Sequence, residues 1–511
     1  MLAKCQSASL FGLDAYIVDV EVDISPGLPQ FSIVGLPDGA VKEAKERVRA
    51  AIINSGFIFP IKKITVNMAP ADLRKQGTSY DLSIALGILA ASRQIPSEKL
   101  SDSVILGELS LDGTVKEIHG ALAIASSING ENIKSLIIPS SNAKEAALSG
   151  NFSVYPVDTL VQTIDFVSES EEILPISIDA DKLLEESSFY LDFAEVRGQA
   201  HVKRGLEVAA AGGHNVLLIG PPGSGKTMMA KRLPGIVPSL TLEEALSITK
   251  IYSVAGRLPE NTPLITVRPF RSPHHTISDA GLIGGGQFPK PGEISLAHHG
   301  VLFLDELTEF PVKILEMLRQ PLEDGQVTIS RANASLTYPA SIMLVAAMNP
   351  CPCGYMGDPK HPCTCSNVAI EKYLTKLSGP LLDRIDIQLE APAVSYQDLV
   401  SRAKEESSEL IRERVQKARQ VQKERLQKYK NVHYNSAMSP SQVKKYCELD
   451  ENGHKLMEQA MSRLGLSARA HNRILKVART IADLAYEEKI QVCHLAEAIG
   501  YRSLDRRLNR L

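Results

Sequence analysis

The residues best suited to chemistry lie in the middle of the chain. Gly220-Pro221-Pro222-Gly223-Ser224-Gly225-Lys226-Thr227 matches the phosphate-binding loop GxxxxGK[ST]. Its glycines let consecutive backbone N–H groups curl around a phosphate, and a following helix N-terminus adds partial positive charge. In this reading Lys226 reaches the β- and γ-phosphates of ATP and the Thr227 hydroxyl binds Mg²⁺. Downstream, Asp305-Glu306 closes an apolar run. An aspartate at a strand's C-terminal end can hold Mg²⁺ through water, and the glutamate beside it can activate the attacking water. A third set is the two C-x-C pairs, Cys351/Cys353 and Cys363/Cys365. Two short-range pairs brought together by a turn suit tetrahedral thiolate coordination, and Gly354 and Gly357 allow that turn. Structural zinc is the expected occupant. His361 could replace one ligand, and an iron–sulfur cluster or incidental thiols stay open. Four thiolates leave no open position for catalytic zinc.

These residues need particular elements around them. Val216–Ile219 reads as a buried strand and Met228–Leu233 as a helix, the strand–loop–helix context of the phosphate loop. Val301–Leu304 and Ile342–Met348 read as further buried strands, the second ending at Asn349. Gln326–Ser330 and Ser335–Tyr338 pattern as a hairpin around residues 331–334. Between phosphate loop and acidic strand, glycines and prolines exclude a long helix. Arg268, Arg271, His274 and His275 in that insert are expected on a solvated or DNA-facing loop. Ser401–Lys430 is charged and helical by spacing, and is expected as a solvated helix bridging domains rather than a DNA contact. Residues 440–511 form a helical region, with Ile474, Val477, Ala478 and Ile481 on one face. Its tail arginines, Arg502, Arg506, Arg507 and Arg510, suit either a DNA or subunit contact or a solvated end.

Ahead of the phosphate loop, residues 1–165 alternate strand and helix patterns. Tyr16–Ile24, Phe31–Pro37, Ile64–Met68 and Val104–Leu109 read as strands, and Val41–Ser55 and Leu82–Ser92 as helices. This is an α+β unit. Residues 166–190 are acidic and read as a linker. A chain of 511 residues implies about three domains. The formal net charge of −3 gives no global nucleic-acid signature, so any basic surface must be local. Aromatics are few and Trp is absent, which disfavours a large stacking platform for single strands. No apolar run approaches the ~18 residues of a membrane span. The N-terminus lacks leader anatomy, and the expectation is a soluble cytoplasmic protein with reduced cysteines.

Several stretches resemble known families. Gly77-Thr78-Ser79-Tyr80-Asp81-Leu82 and the later GELSLDGTVKEIHGAL resemble the Lon-protease-like domain of the ribosomal-S-five type. Ser79 matches the protease nucleophile, but Ala121-Leu122-Ala123-Ile124 stands where the lysine partner belongs. Without a base a serine is a weak nucleophile, so a non-proteolytic domain is expected. Asp192–Gln199 resembles the box before the phosphate loop in AAA+ ATPases, which implies that Val196 packs on the adenine. Asn349 matches the sensor that orients the lytic water. Gly379–Asp386 resembles the arginine-finger segment, with Arg384 as the finger. Arg469 lies where a second sensor arginine occurs, and Arg473 is the alternative.

Together these segments resemble the ComM/YifB family of magnesium-chelatase-like AAA+ ATPases over essentially the whole chain. The resemblance implies an α/β multidomain protein. A Lon-like domain would occupy 1–165, an acidic linker 166–190, a parallel-sheet AAA+ core with the cysteine cluster 191–395, and a helical insert and lid 396–511. It implies ATP and Mg²⁺ as cofactors and a homo-oligomeric ring, expected as a hexamer, with Arg384 reaching a neighbour's ATP. It implies DNA as partner, with branch migration in recombination or DNA uptake. A protein-remodelling ATPase, a magnesium-chelatase-type motor subunit and an ATP-dependent protease are the rival readings.

Overall fold

The computed structural model describes residues 1–511 except 76, 129–132, 186–190, 287–288, 332–333, 359–360, 395, 397–399, 401–404, 430–431 and 503–511. The chain divides into two compact units. One comprises Met1–Glu186 with Thr241–Thr266, and the other Ser187–Leu240 with Val267–Leu511. The division differs from the expected one. Residues 241–266, expected inside the ATPase core, cluster with the N-terminal unit, and the acidic stretch carries the helix Ala180–Glu185.

The first unit is built on a mixed seven-stranded sheet. Its strand order is Gln30–Val34, Lys63–Ala69, Asp14–Ser25, Leu2–Phe11, Ser103–Ile105, Ser135–Pro139, Ser153–Val157. Alternation along Asp14–Ser25 sends Val18, Val20, Val22 and Ile24 into the core. The helix Asp81–Ala91 lies against this face with nearly every side chain buried. Close packing there depends on Gly87, because a Cβ at that position would stand 2.7 Å from Val22 Cγ2. Helix Gly39–Asn54 starts where Asp38 accepts from the Val41 N–H at 2.9 Å, and it buries Val41, Ala44, Val48, Ala51 and Ile52. Helix Leu242–Ala255 opens with a capping box, Thr241 with Glu244, and buries Ala245, Ile248 and Ile251.

The second unit contains a five-stranded parallel sheet. Its order is Phe270–Arg271, Val301–Leu304, Met343–Met348, Val216–Ile219, Ile387–Glu390. The three central strands are buried along their whole length, which is why they read as unbroken apolar runs rather than alternating ones. Gln326–Arg331 pairs with Ala334–Pro339 as the expected hairpin, whose tip lies outside the described residues. Helices Pro440–Tyr446, Glu451–Leu464, Ala468–Leu484 and Val492–Gly500 make the C-terminal region.

Two expectations for this unit fail. Helix Ser408–Leu426 is not a solvated bridge. It buries Ile411, Val415, Ala418 and Leu426, and it is pinned to the helix Ala200–Gly212 by Arg414–Glu207 at 2.6 Å and Arg419 to the Ala210 carbonyl at 2.9 Å. Its apolar positions recur at helical spacing, and the surrounding charges mask that stripe in the sequence. Arg502 is no surface contact: it is 2% exposed and donates to the Ile385 carbonyl at 2.6 Å. Arg506, Arg507 and Arg510 lie outside the described residues. No helix among the described residues is long and apolar enough to cross a membrane.

Candidate nucleotide-binding site

The phosphate loop joins the strand Val216–Ile219 to the helix Lys226–Arg232, between two parallel neighbours, where open α/β sheets place their ligands. It lines a cavity of about 450 Å³ together with Asp305, Glu306, Met348 and Asn349. Pro222, Gly223, Ser224, Gly225, Lys226 and Thr227 all face this space. Gly220 and Pro221 act one step back, because their carbonyls accept from Lys226 Nζ at 2.7 and 2.9 Å. The two motif glycines are required for different reasons. A Cβ on Gly220 would stand 2.0 Å from the Ala391 carbonyl oxygen, whereas Gly225 has open space around it but a φ of +84°. Burial pushes the Lys226 ammonium below its ordinary value, with Asp305 opposing.

The acidic strand meets the loop side by side. Thr227 Oγ1 donates to Asp305 Oδ2 at 2.6 Å. A hydroxyl and a carboxylate oxygen converging at the cavity are hard donors of the kind Mg²⁺ takes, so these residues fit that ion. Glu306 follows in the left-handed region, φ 51° and ψ 49°, a conformation non-glycine residues adopt at a cost. That turn leaves its carboxylate largely exposed at the cavity, 3.5 Å from His275 Nδ1. Asn349, at the end of the neighbouring strand, places Oδ1 3.5 Å from Lys226 Nζ. Loop, acidic pair and asparagine are therefore brought together at one cavity.

His275 is a site residue that the sequence reading missed. The insert reads as a solvated loop, but Arg268 is fixed to the Pro238 and His299 carbonyls at 2.6 and 2.7 Å, and Arg271 forms a two-pronged pair with Glu293 at 2.6 and 2.7 Å. These contacts hold the segment that delivers His275 to Glu306. His274 is exposed and bonded to Thr276 at 2.9 Å.

Val196, Arg384, Arg469 and Arg473 do not line this cavity, and Arg384 is expected at a neighbour's ATP rather than here. Val196 is 1% exposed and packs in the hydrophobic core, so it does not line the space described above. Arg384 is buried, paired with Glu323 and bonded to the Pro380 carbonyl at 2.7 Å. Arg469 is exposed, 3.7 Å from Asp383. Arg473 pairs with buried Asp386, which also faces His214 Nδ1 at 3.2 Å. Burial alone would raise the Asp386 carboxyl; Arg473, then His214, holds it well below the usual range. This network ties the last sheet strand to the helix Ala468–Leu484.

The four cysteines form one cluster. Their sulfurs lie within 4.8 Å of one another, with Cys351–Cys353, Cys351–Cys363 and Cys353–Cys363 at 3.3, 3.6 and 3.5 Å. A tetrahedral thiolate site has sulfurs about 3.8 Å apart, given Zn–S bonds of about 2.3 Å, so the cluster fits zinc closely. Backbone N–H groups of Tyr355 and Thr364 hold the Cys353 thiol at about 6. His361 packs on Tyr355 and is not one of the four. The cluster adjoins the nucleotide site: Asn349 precedes it by two positions, and Gly354 lies against Pro222, which a Cβ would approach to 2.8 Å.

In the first unit, Ser79 precedes the helix Asp81–Ala91, and its carbonyl accepts from Gly107 at 2.9 Å. Among the described residues no lysine or histidine is hydrogen-bonded to it. The nearby Lys75 is buried and donates to the Pro70 and Leu73 carbonyls.

Comparison with known proteins accords with this layout. Residues 192–399 match the family model described as magnesium chelatase, subunit ChlI; 20–142 match subunit ChlI of Mg-chelatase, and 405–502 its C-terminal part. The chain is 45% identical to the competence protein ComM of Haemophilus influenzae, over 100% of this chain and 99% of that protein. It is 44% identical to the YifB protein of Salmonella typhimurium over the same shares. Lon protease 2 of Bacillus subtilis is 34% identical over 27% of this chain and 26% of its own length.

Proposed function

Because this chain belongs to the ComM/YifB family of magnesium-chelatase-like AAA+ ATPases, we propose that it is a ring-forming motor that moves branched DNA during recombination or DNA uptake. ATPase chemistry is the family's, and one observation carries it to residues here: Thr227 and Asp305 converge at 2.6 Å with Glu306 beside them. Lys226 and the loop amides hold the phosphates. Thr227 and Asp305 would hold Mg²⁺, which would supply charge neutralisation at the phosphates. Glu306 accepts the proton of the attacking water, and Asn349 orients that water. The cysteine cluster would hold a structural zinc, two residues beyond the strand end bearing Asn349.

The neighbour supplies the remaining charge. In a hexamer Arg384 exchanges Glu323 for the γ-phosphate of the adjacent subunit, and the exposed Arg469 serves as the second sensor arginine. DNA as substrate is supported by full-length similarity to a protein named for competence. The decisive experiment is strand exchange on a four-way junction. ATP-dependent exchange is expected, and it should vanish in Lys226→Ala. Robust ATP turnover without junction binding at low salt would overturn the DNA reading in favour of a protein-remodelling motor. For the shared site, Arg384→Ala mixed with Lys226→Ala should regain turnover; a sum no greater than the separate mutants overturns it. Metal analysis should return about one zinc per chain.

A further inference from the structure

The first unit carries a second cavity, about 680 Å³, that the ATPase reading does not use. Its floor is made by Phe31, Phe57 and Phe59, which pack on the unit's hydrophobic core. Around it stand three aliphatic side chains open to solvent: Ile53 is 50%, Ile58 76% and Ile61 83% exposed. Exposed aliphatic groups gathered at one groove mark an interaction surface more than scattered ones do. The rim is basic. Lys45 and Arg49 come from helix Gly39–Asn54 and Lys62 from the segment before the strand Lys63–Ala69, against the single carboxylate of Glu46. None of these three cations forms an ion pair among the described residues. One wall carries Gln30 and Phe31 of the strand Gln30–Val34, which ends the sheet and, among the described residues, has a strand partner on one side only.

We infer that this groove docks an extended acidic peptide bearing aliphatic side chains, presented by a partner protein. Uncompensated cations around an apolar floor are complementary to alternating carboxylates and apolar anchors. A terminal strand at the wall favours an extended chain, which can add its main chain to a sheet edge. Single-stranded nucleic acid fits less well, because it needs open aromatic faces on which bases stack. Here the Phe31 and Phe59 rings tilt against each other at 5.9 Å, and the Arg49 guanidinium lies over Phe59 at 5.8 Å. The surface left open is aliphatic. This inference is independent of the DNA reading, since it uses none of the nucleotide-site residues.

The test uses the full-length protein and fluorescence anisotropy. The probe is a labelled peptide of about ten residues in which aspartate alternates with isoleucine, beside a version with lysine for aspartate. The acidic peptide should bind at least about tenfold more tightly than the lysine version. Arg49→Glu and Ile61→Asp should each weaken it at least about tenfold, with ATP turnover unchanged as the check on folding. Both positions are exposed, so folding should survive. Equal binding of the two peptides, or binding that neither substitution weakens, overturns the inference. So does a labelled oligo-dT that binds with the same dependence on Arg49 and displaces the peptide, which would make the groove a nucleic-acid site. Loss of self-association in Ile61→Asp, with no peptide bound by wild type, would assign the groove to a second copy instead.

Discussion

Gly220→Ala and Gly225→Ala separate two physical demands that the phosphate-loop motif merges. An alanine Cβ at 220 would sit 2.0 Å from the Ala391 carbonyl oxygen and 3.0 Å from its carbon. Carbon and carbonyl oxygen normally approach to about 3.3 Å, so loop or strand must move by about 1.3 Å. Both partners are backbone, and neither is the flexible end of a side chain. The Gly220 carbonyl also holds Lys226 Nζ at 2.7 Å, so the displacement passes directly to the lysine. A misplacement of about 1 Å costs on the order of 10²-fold in rate, and that loss is expected in kcat/KM for ATP. Gly225→Ala meets no atom within 4 Å, and its penalty is conformational, from a φ of +84°. A left-handed non-glycine residue costs about 1–2 kcal/mol, a loss of about tenfold. Steady-state ATPase kinetics, with binding of a fluorescent ATP analogue, measure both. Wild-type turnover in Gly220→Ala, or a larger loss in Gly225→Ala, would refute the reasoning.

Glu306→Gln should bind ATP normally and hydrolyse it about 10²–10⁴-fold more slowly, and unchanged turnover would remove Glu306 as the base. His275→Ala should lower kcat by about tenfold with KM unaltered, because it loses a contact to the base and none to the phosphates; unchanged kcat would show the 3.5 Å approach is incidental. Asp386 has a depressed folded pKa, so its stabilisation is present above the unfolded value of about 3.9 and is lost as pH falls through the folded value. In Arg473→Met the main opponent of burial is gone, so stability should fall by about 3–5 kcal/mol and acid sensitivity should begin at higher pH; parallel melting curves between pH 7 and 5 would contradict this. Ser79→Ala should leave ATP turnover intact, and wild type should cleave no casein.

What the sequence discloses here is local. Gly220–Thr227 is legible because one loop supplies every contact at fixed spacing, and Val301–Leu304 and Met343–Met348 because buried parallel strands are apolar without interruption. The four cysteines are legible for the same reason. His275 is not, because its meeting with Glu306 depends on how Arg268 and Arg271 pin the insert. Arg384 reads as a finger from its flanking residues, but its pairing with Glu323 is set by distant packing. The helix Leu242–Ala255 buries Ala245, Ile248 and Ile251 in a unit that its place in the chain does not indicate, since phosphate-loop residues flank it on the N-terminal side.

That last helix has a consequence for how such a chain can be rearranged. The N-terminal unit is not a continuous run of sequence: the chain leaves it, builds the phosphate loop, and returns for residues 241–266. A single cut near residue 186 would strand a helix with its apolar side uncovered, a liability for aggregation in the shortened protein. A lineage could therefore not trade this unit for another by one crossover between genes. Two exchanges, or a redesign of one helix face, would be needed.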